Sequence, residues 1–150
     1  MNRDTRRLVL YVEDHAINAL LMAAIFEHRP KLGLVIATSG EEAMSLAQRL
    51  RPELMMLDIG LPDCHGTDLL QRLRSLPGYE RVPAVAVTAN SDFDIARTGF
   101  RELWPKPLMV ERVLPRLDAL TAVASFPLVP EPAALATATR GAWPLGLASA

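Results

Sequence analysis

Three short apolar runs in this chain each stop at a polar residue. Leu8-Val9-Leu10-Tyr11-Val12 stops at Glu13-Asp14, Leu54-Met55-Met56-Leu57 at Asp58, and Ala84-Val85-Ala86-Val87 at Thr88. Runs of this length, apolar on both faces, suit strands buried by helices above and below. Between them the spacing changes to threes and fours. Ile17, Leu20, Leu21, Ala24 and Ile25 mark a helix over residues 17–28, closed by Pro30. Leu34-Val35-Ile36-Ala37 is a short second strand. Ser39 followed by Glu41 and Glu42 reads as a capped helix start, continued by Ala43, Leu46, Ala47 and Leu50 until Pro52. Leu69, Leu70 and Leu73 give a third helix its buried face, and Pro77-Gly78 breaks it. Phe100 to Pro105 reads as a fifth strand, with Pro105 tolerable only at a sheet edge.

Alternating strands and helices predict βαβ units and a parallel sheet. In such a sheet the carboxyl ends of the strands lie side by side, so residues distant in sequence meet in one crevice. Glu13, Asp14, Asp58, Thr88 and Lys106 would then share a small pocket. Carboxylates that close repel one another, and a hard divalent cation such as Mg²⁺, which takes oxygen ligands, relieves the repulsion. A metal-neutralised aspartate beside a hydroxyl and an ammonium is suited to accepting a phosphoryl group.

The later part is less regular. Residues 90–99 have room for only about two helical turns of ~3.6 residues. Met109 to about Ala122 is the last helix, with Val110, Val113, Leu114 and Leu117 as its apolar face, and Pro115 should kink it or mark its real start. From Phe126 onward the chain is rich in Pro and Ala and poor in charge, and reads as a tail outside the fold. The expected organisation is a leader over 1–7, one domain over 8–122, and a tail over 123–150.

Composition narrows the classes. At 150 residues one domain with a real core is expected, and a net charge of −1 argues for no nucleic-acid footprint. No apolar run is long enough for a transmembrane helix, and the polar start leads into too short an apolar stretch for a signal peptide. The single cysteine, Cys64, forbids an internal disulfide and fits a cytoplasmic location. Of 16 basic side chains only Lys31 and Lys106 are lysines, which makes a lysine at this position conspicuous. His15, His28 and His65 share no metal-binding spacing and read as surface or loop residues. Cys64 reads as structural, and Met55-Met56 as core.

Taken in order, Tyr11-Val12-Glu13-Asp14, Leu57-Asp58-Ile59-Gly60-Leu61-Pro62, Val87-Thr88-Ala89 and Lys106-Pro107 resemble the receiver domain of two-component response regulators over about residues 7–120. Glu13-Asp14 followed by Asn18 most resembles receivers attached to, or partnered with, hybrid histidine kinases. The resemblance implies a flavodoxin-like (βα)5 fold, an α/β architecture with a doubly wound five-stranded parallel sheet. It implies Asp58 as phosphoacceptor from a phosphohistidine, with Thr88 and Lys106 contacting phosphoryl oxygens. Asp14, with Asp58, would bind Mg²⁺ directly, Glu13 would hold it through water, and the Gly60 carbonyl would add a ligand. A cognate histidine kinase or histidine phosphotransfer protein is the implied partner, with a homodimer also open and output through protein–protein contact rather than DNA or membrane.

Three departures from the pattern cluster together. The Thr88-to-Lys106 interval is about four residues short of the family's, roughly one helical turn, so a shortened fourth helix is expected. Leu103 stands where receivers often carry Tyr or Phe, and the neighbouring Trp104 should point to the other face. Pro115 interrupts the last helix. These departures favour, as the alternative, a receiver-fold binding module that acts without phosphorylation. A phosphatase with an aspartate nucleophile would want a second acid two residues on, where Gly60 stands. A nucleotide hydrolase would want a Gly-rich phosphate loop, and there is none.

Overall fold

The apolar runs do become the strands of one sheet. The computed structural model describes residues 6–121. Its elements are β1 (Arg7–Val12), α1 (Ala16–Phe26), β2 (Leu32–Ala37), α2 (Gly40–Ala47), β3 (Pro52–Asp58), α3 (Gly66–Arg74), β4 (Ala84–Thr88), β5 (Glu102–Pro105) and α4 (Val110–Thr121). The strands are all parallel, in the order β2-β1-β3-β4-β5. That order changes direction beside β1, and this is where an open sheet forms its crevice. The chain divides into two units, Met1–Arg116 and Leu117–Ala150. Of the second, the described part is the end of α4, where the buried Thr121 hydroxyl donates to the Leu117 carbonyl at 2.8 Å. The expected tail over 123–150 and most of the leader lie outside the described residues.

Period-two alternation sorts the strand residues onto two faces. Leu10, Val12, Met55, Leu57, Ala84 and Ala86 join Ala43 and Ala47 of α2 and Leu69, Leu70 and Leu73 of α3 in one buried cluster. The intervening Val9, Tyr11, Leu54, Met56, Val85 and Val87 are buried as well. Both faces of the central strands are therefore covered, which is why their sequences are unbroken apolar runs.

Local chemistry sets the element ends. Ser39 accepts from the Glu42 N–H at 3.0 Å, the serine cap expected there. The Glu42 carboxylate returns to the Thr38 N–H at 2.7 Å, and Asp63, from the loop after β3, takes the Gly40 and Glu41 N–H groups at 2.8 and 2.9 Å. At the other end α2 stops at Ala47, before the expected Leu50. The buried Tyr79 hydroxyl donates there to the Ala47 and Leu50 carbonyls, so a side chain distant in sequence satisfies the helix's last acceptors. Pro52, expected to end this helix, opens β3 instead. It lacks an N–H, which is acceptable in the first residue of a strand, and the pairing with β1 shifts register there.

The connection from β4 to β5 holds the largest departure. The shortening goes to its limit, and a run of turns replaces the helix. Asn90 and Asp94 side chains accept from the backbone N–H two residues on, at 2.9 Å each, and Thr98 does the same for Phe100 at 3.2 Å. Such side chains compete with the helical hydrogen-bond ladder. Arg97 and Gly99 both have positive φ, 64° and 95°. Phe93, Ile95 and the buried Phe100 pack on the cluster of α2 and α3, with Phe93 and Phe100 edge to face at 6.4 Å. Leu103 joins the same cluster, whereas Trp104, one residue on, is buried outside it, as the alternation predicts. β5 is an edge strand, consistent with Pro105. Pro115 sits inside α4 and does not mark its start.

Candidate functional site

Each predicted side chain arrives at the carboxyl end of its strand, and Gly60 lies in the loop two residues after β3. Glu13 and Asp14 follow β1, Asp58 is the last residue of β3, Thr88 the last of β4, and Lys106 follows β5. Pairing fixes their heights: Val12 lies opposite Leu57, Asp58 opposite Val87, and Thr88 opposite Pro105.

Lys106 joins two of the acids. Its Nζ lies 3.1 Å from Glu13 Oε1 and 3.2 Å from Asp58 Oδ2. Glu13 is fully buried, and its carboxylate is saturated with donors. Oε1 also accepts from the Tyr11 hydroxyl at 2.8 Å, and Oε2 accepts from the His15 N–H at 3.2 Å and Asn18 Nδ2 at 3.4 Å. Burial alone would raise its pKa, but the hydrogen bonds from Tyr11 and Lys106 outweigh burial and hold it below the usual range. Asp58 is the reverse. Its own burial, followed by the charge of Glu13, pushes its pKa up, against the pull of Lys106 and the Gly60 N–H at 3.2 Å. Burial acts to lower Lys106, and its two carboxylate partners overcome that and raise it. Tyr11 is raised by burial and then by the charge of Glu13, so its hydroxyl remains a donor.

Asp14 differs from both. Its Oδ1 is buried and accepts no hydrogen bond, although His15 Nδ1 stands 3.4 Å away. A buried oxygen without a donor is costly unless a cation satisfies it. One ligand atom each from Glu13, Asp14, His15 and Asp58 lies within 4.8 Å of all the others. The oxygen-rich set could hold a hard divalent ion: the Asp14 oxygen has no hydrogen-bond donor, whereas the Glu13 oxygens already have several.

Thr88 is buried, and its hydroxyl accepts from the Asn90 N–H at 3.0 Å rather than bonding Asp58 or Lys106. Its carbonyl accepts from the Lys106 N–H at 2.9 Å, which ties the ends of β4 and β5 together. The loop after Asp58 doubles back tightly, with the Gly66 N–H on the Ile59 carbonyl at 2.7 Å. A Cβ on Gly66 would lie 2.8 Å from both the Asp58 carbonyl oxygen and Ile59 Cα, so glycine is required for this return. Sequence reasoning missed Tyr11 and His15. The only signal for Tyr11 was a phenol two residues before Glu13 on the same strand face, and for His15 its adjacency to Asp14.

The comparisons agree with this geometry. The response regulator receiver domain family matches residues 9–116. The virulence sensor protein BvgS of Bordetella bronchiseptica is 31% identical over an alignment of 145 positions that covers 91% of this chain and 12% of that protein. The chain therefore spans a small part of that relative's length. The polar-differentiation response regulator DivK of Brucella anthropi is 31% identical over 110 residues, 71% of this chain and 89% of DivK. Among solved structures, the receiver domain of the sensor histidine kinase PA1611 of Pseudomonas aeruginosa, with a magnesium ion in its active-site cleft, superposes with a TM-score of 0.71 at 22% identity. It covers 78% of this chain and 98% of its own. A CheY-like receiver from Methylobacillus flagellatus gives 0.69 at 24% identity, covering 77% and 98%. The parallel sheet, the acids at its carboxyl edge and the match over most of the described residues lead to one conclusion: the chain belongs to the response regulator receiver domain family, the signalling regulators of two-component systems.

Proposed function

We propose that the chain accepts a phosphoryl group on Asp58 from a histidine kinase or a histidine phosphotransfer protein, and signals through protein–protein contact. The observation that carries this reading is Lys106 bridging Glu13 and Asp58 beside the unpartnered Asp14 oxygen. A carboxylate oxygen of Asp58 attacks phosphorus, the phosphorus–nitrogen bond of the phosphohistidine breaks, and the imidazole leaves with the electron pair and takes up a proton. The product is an acyl phosphate on Asp58. Asp14 and Asp58, the Gly60 carbonyl, and Glu13 through water would hold Mg²⁺, which supplies charge neutralisation when bound. Lys106 is already placed to exchange part of its Asp58 contact for a phosphoryl oxygen. Thr88 retains its hydroxyl proton while accepting from Asn90, so it can donate to another phosphoryl oxygen.

The new group brings about −1.5 to −2 charge into the crevice. Thr88 is the last residue of β4, directly before the turn segment running to β5, so its movement would be felt along that segment. The donor's docking surface is assigned to α1, which exposes Ile17 (78%) and Leu20 (70%) directly after the acidic pair. Residues 8–122 are assigned as the functional unit. Among the described residues no helix is long and apolar enough to cross a membrane.

Intact-mass analysis after incubation with Mg²⁺ and acetyl phosphate tests the proposal. One added phosphoryl group is expected in the wild type, and none in Asp58→Ala or after chelation. If no adduct forms, Mg²⁺-dependent beryllofluoride binding is the second measurement, and failure of both overturns phosphorylation. The second reading, a receiver-fold binding module, rests on the missing helix between β4 and β5 and on Leu103, and would then stand.

A further inference from the structure

A second cluster of charge lies at the opposite end of the sheet. Arg74 at the end of α3, Arg81 in the following loop and Arg101 just before β5 line a cleft of about 350 Å³, together with Pro83, Ala84 and Gly99. Among the described residues none of the three guanidinium groups forms an ion pair, and Glu80, at the same cleft, is the one acid lining it. Arg74 is immobilised: its Nη1 donates to the Tyr79 carbonyl at 2.8 Å and the Val82 carbonyl at 2.5 Å. Its Nε and Nη2 have no hydrogen-bond partner in the described structure. Burial and the neighbouring charge of Arg101 both hold the Arg74 pKa below its usual value, as expected when like charges converge without an anion between them. Glu102, next to Arg101, feels its charge, but its carboxylate makes its hydrogen bonds with Arg116 and with the Trp104 indole at 2.9 Å and none with Arg101.

We propose that this cleft binds a small anion bearing one or two phosphate groups. Planar guanidinium forks match phosphate oxygens in pairs, and one of them is held ready by backbone carbonyls. The volume suits a compact ligand, and the concave form distinguishes the site from a flat surface patch. The anion would tie the end of α3 to Gly99–Arg101. These residues end the turn segment that begins directly after Thr88, so the bound anion would restrain the connection whose other end lies at the carboxylate crevice. The proposal does not depend on phosphorylation of Asp58.

Titration calorimetry of inorganic pyrophosphate into the full chain, without Mg²⁺ and with chelator, tests it, with inorganic phosphate as a second probe. One-site binding is expected, weakened about tenfold or more in the double variant Arg81→Gln/Arg101→Gln and unchanged in Arg112→Gln, an exposed arginine elsewhere. Both substituted residues are exposed, and an unchanged thermal midpoint in the absence of ligand establishes that the double variant folds. Amide shifts on titration should centre on residues 74, 80–84 and 99–101. Absence of heat with millimolar pyrophosphate would overturn the proposal. So would equal weakening by Arg112→Gln, or a response to anionic vesicles that the free anions do not reproduce.

Discussion

The Tyr11 hydroxyl lies 2.8 Å from Glu13 Oε1, and both side chains are fully buried. A phenylalanine would fill the same space, so the oxygen is there for the carboxylate. Hydrogen bonds to charged groups contribute about 1.5–3 kcal/mol. Tyr11→Phe is therefore expected to lower stability by about that amount at neutral pH, measured by urea unfolding. Glu13's lowered pKa means that its stabilisation is full above the unfolded-state value of 4.5 and is lost as pH falls through the folded-state value. The gap between variant and wild type should accordingly close in acid. A gap independent of pH would assign the loss to packing instead.

Asp58 carries the opposite sign. A raised folded-state pKa means that the fold favours the neutral form, so stability from this group is full below the unfolded-state value and falls as pH rises through the folded-state value. Asp58→Asn should stabilise the protein at pH 7, on the order of 1 kcal/mol, as relieved functional sites commonly do. The benefit should vanish in acid, where the wild-type carboxyl is itself protonated. Loss of stability in Asp58→Asn at pH 7 would show that the Lys106 contact outweighs the repulsion from Glu13.

Asp14 offers the unsatisfied oxygen. Mg²⁺ should raise the thermal midpoint of the wild type, since a ligand at 100-fold its dissociation constant stabilises by about 2.7 kcal/mol. Asp14→Asn should abolish most of that rise while folding normally without the ion. An undiminished rise in the variant would place the ion elsewhere.

Two glycines near Asp58 should respond differently. Gly66→Ala forces a Cβ against backbone at 2.8 Å and is expected to cost about 1–3 kcal/mol. At Gly60 a Cβ meets nothing within 4 Å, so Gly60→Ala should stay within about 0.5 kcal/mol. Chemical denaturation of the pair checks both, and equal effects would contradict the tight return of the loop.

Much was determined by sequence alone. The strands announced themselves because helices cover both sheet faces, which demands unbroken apolar runs. The residues ending those runs named the crevice, because parallel strands place their carboxyl ends together. Ser39 announced its helix because capping is local chemistry between neighbours. What only the tertiary structure decided depends on groups far apart in the chain. Asp63 reaches 23 residues back to the start of α2, and Tyr79 reaches 32 back to its end. Lys106 divides itself between Glu13 and Asp58, 93 and 48 residues away. Residues 90–101 kept a helix's apolar content but not its helix. Phe93, Ile95 and Phe100 could fill the space over α3 from a chain of turns, while Asn90, Asp94 and Thr98 bonded their own backbone. That competition is settled by the core available to those side chains, and no local spacing records it.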